Sequence, residues 1–231
     1  MIHENFRCEF YFIRHGQSES NATPSVIVGG NFDSPLTSLG ECQARSLGRR
    51  LHREGITFDR VYSSTLRRAV HTTELMLQEM GETNRRFPKI KALIEQQIPA
   101  WRGRLDQDIF TTDLQAYMRA KEPDFVPADG EPLRLVQRRV ASWLEDEIIF
   151  NRDLVTQTTS MRVAIIGHGG ASKALFQYIM GFDSKYIVRV GMDNCSISRF
   201  IFNKAGWHLV CINDGAHLER KSQESAADVG I

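Results

Sequence analysis

The chain lacks most of the features that would assign it to a class at once. Across its 231 residues, 29 Lys+Arg stand against 28 Asp+Glu, a net charge of +1, so bulk attraction to nucleic acid or to an anionic membrane is not expected. Any basic site must be a local concentration. No apolar run is long enough to cross a bilayer. The opening residues, Met1-Ile2-His3-Glu4-Asn5, lack the basic and then apolar stretches of a secretion signal, and a cytoplasmic protein is expected. The four cysteines, Cys8, Cys42, Cys195 and Cys211, include no Cys-x-x-Cys pair. That spacing argues against a zinc site and for buried free thiols in a reducing compartment. There is no Gly-x-x-x-x-Gly-Lys phosphate loop and no carboxylate cluster suited to a cation, so neither a metal nor another cofactor is expected. Repeats and low-complexity linkers are absent too. What remains, 42% hydrophobic and 25% charged, is ordinary for a globular protein. One domain is expected over 1–231, with its core at about 8–218 and a flexible tail at 219–231.

What is present begins with Cys8 to Ile13, an apolar, aromatic and branched run that predicts a buried strand. A helix is expected from Ser38, where Glu41 completes a capping box or Thr37 caps instead, to about His52. Phe58 to Tyr62 predicts a second strand. Leu66 to Met80 predicts a helix with Leu66, Val70, Thr73 and Leu77 on its inner stripe. Lys89 to Ile94 reads as a weaker strand, Gln107 to Ala120 as a helix, and Pro132 to about Phe150 as a long helix. Arg162 to Ile166 predicts a buried strand, Ala171 to Met180 a helix, and Ser196 to Ile212 a hairpin. This alternation implies an α/β fold with a mostly parallel sheet and an antiparallel edge strand.

In a parallel sheet the carboxyl ends of the strands lie on one edge, where ligands bind. The first strand delivers Arg14 and His15 to that edge. The second delivers Ser63-Ser64-Thr65 and then Arg67 and Arg68 in the first helical turn, and the weak strand delivers Glu95. The strand ending at Ile166 delivers Gly167-His168-Gly169-Gly170. A helix start carries partial positive charge, so arginine there is placed to clamp an anion rather than to stabilise the helix. Adjacent arginines point about 100° apart on a helix, so one of the two is expected to be plain surface charge. Two arginines, two histidines, glycine-rich helix starts and one carboxylic acid suit phosphoryl transfer. Neutral imidazole attacks phosphorus, guanidinium groups neutralise the equatorial oxygens, and a carboxyl beside a phosphate holds a proton for the leaving oxygen.

Arg14-His15-Gly16-Gln17-Ser18-Glu19-Ser20-Asn21 resembles the opening motif of the histidine phosphatase superfamily, the phosphoglycerate-mutase-like proteins. Four further stretches resemble it in the same order: Asp33 to Gly40, Ser63 to Thr72, Leu93-Ile94-Glu95 with Trp101 and Gly103 downstream, and Gly167 to Gly170. The chain departs from the family pattern at Pro99-Ala100, Arg102 and His71. The resemblance implies a three-layer α/β/α sandwich with its site at the sheet's carboxyl edge. It implies His15 as the phosphorylated nucleophile, with Arg14, Arg68 and His168 binding the phosphoryl group and Glu95 as general acid and base. Arg68 aligns because it precedes Ala69, leaving Arg67 as surface. Glu131 is a reserve acid. Asn21, Gln17, Gly29, Gly30 and Gly169 are expected on the substrate side.

The expected activity is a metal-independent phosphomonoester hydrolase acting on a small phosphorylated metabolite. Mutases of this superfamily carry paired arginines after the acid loop, and Arg102 to Gly130 contains no adjacent pair. A phosphoglycerate mutase, a sugar bisphosphatase using Arg102, Arg104 and Lys173 for a second phosphate, and a non-catalytic phosphate binder are the alternatives. Neither the substrate nor the oligomeric state is legible.

Overall fold

The computed structural model describes residues 2–22, 27, 29–121, 124–156 and 160–218. The expected tail at 219–231 lies outside them. In chain order the elements are β1 (Arg7–Arg14), α1 (Glu19–Ala22), α2 (Ser38–Arg53), β2 (Arg60–Ser64), α3 (Arg67–Glu79) and β3 (Lys89–Ile90). Then come α4 (Asp106–Ile109), α5 (Thr112–Lys121), α6 (Leu133–Leu144), α7 (Arg152–Val155), β4 (Ser160–Gly167), α8 (Gly169–Met180), β5 (Ile197–Asn203) and β6 (Gly206–Asp214).

Cys8 to Ile13 is buried on both faces, as a central strand requires. β1 is flanked by β4 in parallel and β5 antiparallel, within a six-stranded sheet of order β3-β2-β4-β1-β5-β6. Alternate side chains serve opposite layers. Phe10, Phe12, Val163 and Ile165 face α6 and α8, while Tyr11, Ile13, Ala164 and Ile166 face α2 and α3. The result is the expected three-layer α/β/α sandwich, with its antiparallel edge supplied by the β5–β6 hairpin. Ile27, Trp101 and Ile109 form a third, smaller apolar cluster with residues of α5 and the loops around it. Among the described residues no helix is long and apolar enough to cross a membrane.

Several local expectations change. Thr37, not Ser38, caps α2, its Oγ1 accepting from the Gly40 N–H at 3.1 Å. The buried face of α3 runs through Ala69, Thr72, Thr73 and Met76, leaving Leu66 and Val70 half-buried, because α2 packs against that face. The strand expected over Lys89 to Ile94 stops at Ile90, and Lys91–Leu93 turns to bury Leu93. The helix expected over Gln107 to Ala120 is two pieces. Phe110 lies between them and sets its ring edge-on to Trp101 at 5.5 Å. The long helix ends as a π turn over Glu145–Ile149, where Glu147 accepts from the Tyr62 hydroxyl at 3.0 Å. Cys8 and Cys195 are buried, and burial pushes their thiols up in pKa. Cys42 is exposed on α2 and Cys211 half-buried near the sheet edge, so the expectation of four buried thiols fails for those two.

The loop after β1 is locked to the start of α2 through backbone. A Cβ on Gly16 would stand 2.5 Å from the Gly40 carbonyl oxygen, and one on Gly40 would fall well inside contact distance of the Gln17 carbonyl. Alanine at position 40 adds about 1 kcal/mol of helix propensity. Against this, overpacking a rigid backbone contact costs about 1–3 kcal/mol. Gly40→Ala is therefore expected to lower the urea midpoint, whereas an equal or higher midpoint would show that this loop is free to move.

Candidate active site

The register of β1 with β4 pairs Arg14 with Gly167, so the residues that follow, His15 and His168, emerge side by side. Their ring centroids lie 5.0 Å apart. His15 is 3% exposed and its Nδ1 lies 2.7 Å from the Gly16 carbonyl oxygen. A carbonyl only accepts, so Nδ1 carries the hydrogen and Nε2 keeps its lone pair. The Arg68 Nε–H donates to that Nε2 at 3.2 Å and fixes the ring's aim. His168 is fully buried, with Nε2 2.8 Å from Ser64 Oγ. Burial, and then the charge of Arg68, push both imidazoles well below the ordinary histidine range, so both are neutral near pH 7.

Arg68 stands in the first turn of α3, as expected, and is 3% exposed. It donates through Nη1 to the Phe32 carbonyl at 2.8 Å. Thr72, one turn on, accepts from the Gly16 N–H at 3.0 Å and donates to the Arg68 carbonyl at 2.7 Å, tying α3 to the loop that carries His15. Arg67 is exposed, the surface partner of the pair. Arg14 donates through Nη1 to the Met192 carbonyl. Two buried polar atoms have no partner here: Arg14 Nε and His168 Nδ1. Unmet buried hydrogen-bonding groups beside two guanidinium ions describe a seat for a polyoxygen anion.

Glu95 lies on the loop beyond β3. Its Oε1 accepts from the N–H of Gln96 at 2.9 Å and of Ala171 at 3.0 Å, and its Oε2 from that of Gly170 at 2.9 Å. The carboxylate thus holds two of the α8 amides that the sequence offered to phosphate, and it faces the charges of Arg14 and Arg68. Arg139 holds the loop, donating to the carbonyls of Ala92 at 2.6 Å and Glu95 at 3.2 Å. Glu131 is the carboxylate partner of Arg139 at 2.7 Å and accepts from the Gln97 N–H at 3.3 Å. The reserve acid of the sequence reading is therefore a brace for the Glu95 loop.

Arg14, His15, Ser20, Asn21, Gly29, Arg68 and Glu95 line a cleft of about 150 Å³. Of the residues expected on the substrate side, Asn21 and Gly29 line it. Gln17 does not: its Oε1 accepts from Thr37 Oγ1 at 2.9 Å. Gly30 supports the acid loop instead, donating its N–H to the Gln96 carbonyl at 2.6 Å. Gly169 backs the Arg14 side chain, where a Cβ would stand 3.5 Å from Nε. Ser20, Thr72, Arg139 and Asn194 were given no role in the site by the sequence reading. Asn194 Nδ2, on the loop before the neighbouring strand β5, donates to the His15 carbonyl at 3.0 Å, a contact that no local pattern announces. Of the cations considered for a second phosphate, Arg102 lies over the Phe32 ring at 4.9 Å and Arg104 is exposed. Lys173 is half-buried beside Arg14 and Glu95. Among the described residues no group of His, Cys, Asp or Glu side chains is arranged to hold a metal ion.

The model of the histidine phosphatase superfamily (branch 1) matches residues 10–215. The 2,3-bisphosphoglycerate-dependent phosphoglycerate mutase of Methylorubrum extorquens (strain PA1) is 33% identical over 176 residues, 75% of this chain and 80% of that protein. Among solved structures, phosphoserine phosphatase from Entamoeba histolytica in complex with 3-phosphoglyceric acid superposes with a TM-score of 0.76 at 21% identity. That match covers 91% of this chain and 99% of that one. Phosphoglycerate mutase from Bacillus anthracis str. Sterne superposes with a TM-score of 0.77 at 19% identity, over 93% and 96% of the two chains. At such identities these two structures speak for the fold.

The buried histidines give stability a pH dependence. Below about pH 6.5 the unfolded chain protonates both rings while the folded chain does not. The unfolded state then binds more protons, so stability falls as pH drops through this range, by at most about 1.4 kcal/mol per pH unit for each ring. Denaturant midpoints taken from pH 8 to pH 5 are expected to decline below 6.5, and His168→Asn to flatten the decline. A slope unchanged by that substitution would mean that His168 is already charged in the folded protein.

Proposed function

Because the chain belongs to the histidine phosphatase superfamily (branch 1), we propose that it is a metal-independent phosphomonoester hydrolase that works through a phosphohistidine on His15. One observation carries this reading: His15 is buried and neutral, and its unprotonated Nε2 is aimed by Arg68 into a cleft that also holds the unpartnered Nε of Arg14. In the proposed first step that Nε2 attacks phosphorus and the P–O bond to the leaving group breaks. Arg14, Arg68 and His168 hold the non-bridging oxygens and neutralise their charge. The phosphate dianion sets like charge beside Glu95 and favours its protonated form, and that proton passes to the leaving oxygen. In the second step Glu95 takes a proton from water, the water oxygen attacks phosphorus, the N–P bond breaks and inorganic phosphate leaves. Asn21, Ser20 and Gly29 line the substrate side.

A mutase is the second reading, favoured by the name of the relative at 33% identity. It must keep both ends of a bisphosphate while excluding water. Arg102 is stacked on Phe32 and Arg104 is exposed, which supports hydrolysis instead, and the same two positions weigh against a sugar bisphosphatase. A non-catalytic binder has no need of the nucleophile and acid that this chain retains.

His15→Ala is expected to lower hydrolysis of a small phosphate ester by at least about a thousandfold and to abolish acid-labile phosphate labelling of the protein. Undiminished hydrolysis would place the nucleophile elsewhere. With 3-phosphoglycerate and a bisphosphate primer, release of inorganic phosphate is expected to outpace formation of 2-phosphoglycerate; the reverse order would make the enzyme a mutase.

A further inference from the structure

A second cavity, of about 280 Å³, adjoins the phosphate cleft. The two share walls. Glu95 lines the first and Gln96 the second, and Gly170, whose N–H holds the Glu95 carboxylate at 2.9 Å, lines the second. Gly29 of the first lies against Ile98 of the second so closely that a Cβ would have no room. Glu95 therefore stands between the cavities, where an acid serving a leaving oxygen must stand.

The second cavity differs in chemistry from the first. Its walls are mainly Ile98, Trp101, Phe110, Met118, Phe125 and Leu133. The rings of Phe110 and Phe125 stand 5.5 and 6.0 Å from that of Trp101. The Gln96 amide is already committed to the Glu131 carbonyl at 2.7 Å. Lys173 is the exception in this wall. Half-buried, it has no hydrogen-bond or ion-pair partner among the described residues, and it faces the charges of Arg14 and Glu95. It marks the point at which an anionic site gives way to an apolar one.

We propose that this cavity receives the leaving group, and that the substrate is a phosphomonoester of an apolar, ring-sized alcohol or phenol, with Lys173 beside its phosphate end. The proposal rests on the hydrolase reading for its chemistry. A cavity of about 150 Å³ with apolar walls accommodates benzene, so this one has room for a ring and a short linker. An apolar group gains free energy in proportion to the area it buries here. Lys173 sits at the phosphate end, and past it a glycerate or a second phosphate would lose water against Trp101 and Phe110, whose rings offer it no ionic partner.

The first test needs no turnover. Benzylphosphonate and methylphosphonate carry P–C bonds and differ by one ring, and Trp101 supplies a fluorescence signal alongside calorimetry. The wild-type protein is expected to bind benzylphosphonate at least about tenfold more tightly, and equal affinities would overturn the proposal. The second test compares kcat/KM for 2-phenylethyl phosphate and glycerol phosphate. The ratio is expected to exceed about ten in the wild type. It should fall at least threefold in Met118→Gln, through KM, because that substitution sets an amide in the apolar wall at similar volume. A ratio near one in the wild type would also overturn it. Discrimination between the phosphonates without hydrolysis of either ester would support the cavity's role and sink the hydrolase reading. Hydrolysis of both esters at equal efficiency would do the opposite.

Discussion

Two guanidinium groups and two imidazoles share one buried space, and the rest of the site follows from that crowding. Arg14 and Arg68 are lowered in pKa chiefly by burial, yet a guanidinium so far above neutrality remains charged near pH 7. Their field, added to burial, keeps protons off His15 and His168. One cause thus prepares two things. It leaves His15 Nε2 unprotonated, accepting from Arg68, and it creates a demand for negative charge that Glu95, with Asp193 and Asp33, meets in part. A phosphate dianion answers that demand and finds Arg14 Nε and His168 Nδ1 unpaired. Such a cluster lowers the stability of the empty protein, since buried charge is costly to desolvate. The doubly covered sheet beneath it supplies the margin.

The fold divides the work between rigid and loop-borne parts. His15, Arg14 and His168 follow directly from two hydrogen-bonded parallel strands, and Arg68 from a helix pinned to the His15 loop by Thr72. Phosphate-binding geometry is therefore set by backbone register. Glu95 sits on a loop, and its position depends on a network in which Arg139 bridges Ala92, Glu95 and Glu131. That arrangement leaves the acid and the surface beyond it free to differ in shape while the phosphate seat stays fixed.

The sequence disclosed the rigid part more fully than the loop-borne part, for a physical reason. Buried parallel strands announce themselves as short apolar runs, and the residues at their ends converge by topology; Arg14, His15 and His168 were placed this way, whereas Arg68 was told from Arg67 only by the family resemblance. Gln17 stands beside the motif, and nothing local reveals that its Oε1 accepts from the Thr37 hydroxyl. Nor does anything local reveal that Arg139, eight residues on, pairs with Glu131. Ser64 was delivered to the edge by its strand, but its bond to His168 follows only from the pairing of β2 with β4. Asn194 was invisible, because only the pairing of β1 with β5 brings its loop to His15. The apolar cavity was hidden in the break between α4 and α5, where Phe110 turns inward instead of continuing a helix.

The two sides of Glu95 bear on the fate of the proposed phosphohistidine. On the proposed reading, with the phosphoryl group on His15, whichever hydroxyl next reaches phosphorus decides between transfer and hydrolysis. A mutase wins that competition by anchoring the intermediate through a second anion while it reorients. Beyond Glu95 this protein offers Trp101, Phe110 and Phe125, with Lys173 at the boundary. On the proposed reading, a dephosphorylated alcohol held only by such walls has lost the charge that bound its other end. Its departure leaves the Glu95 carboxylate facing a cleft into which water moves. If the proposed apolar wall receives the leaving group in the first half-reaction, the same wall favours water as the acceptor in the second.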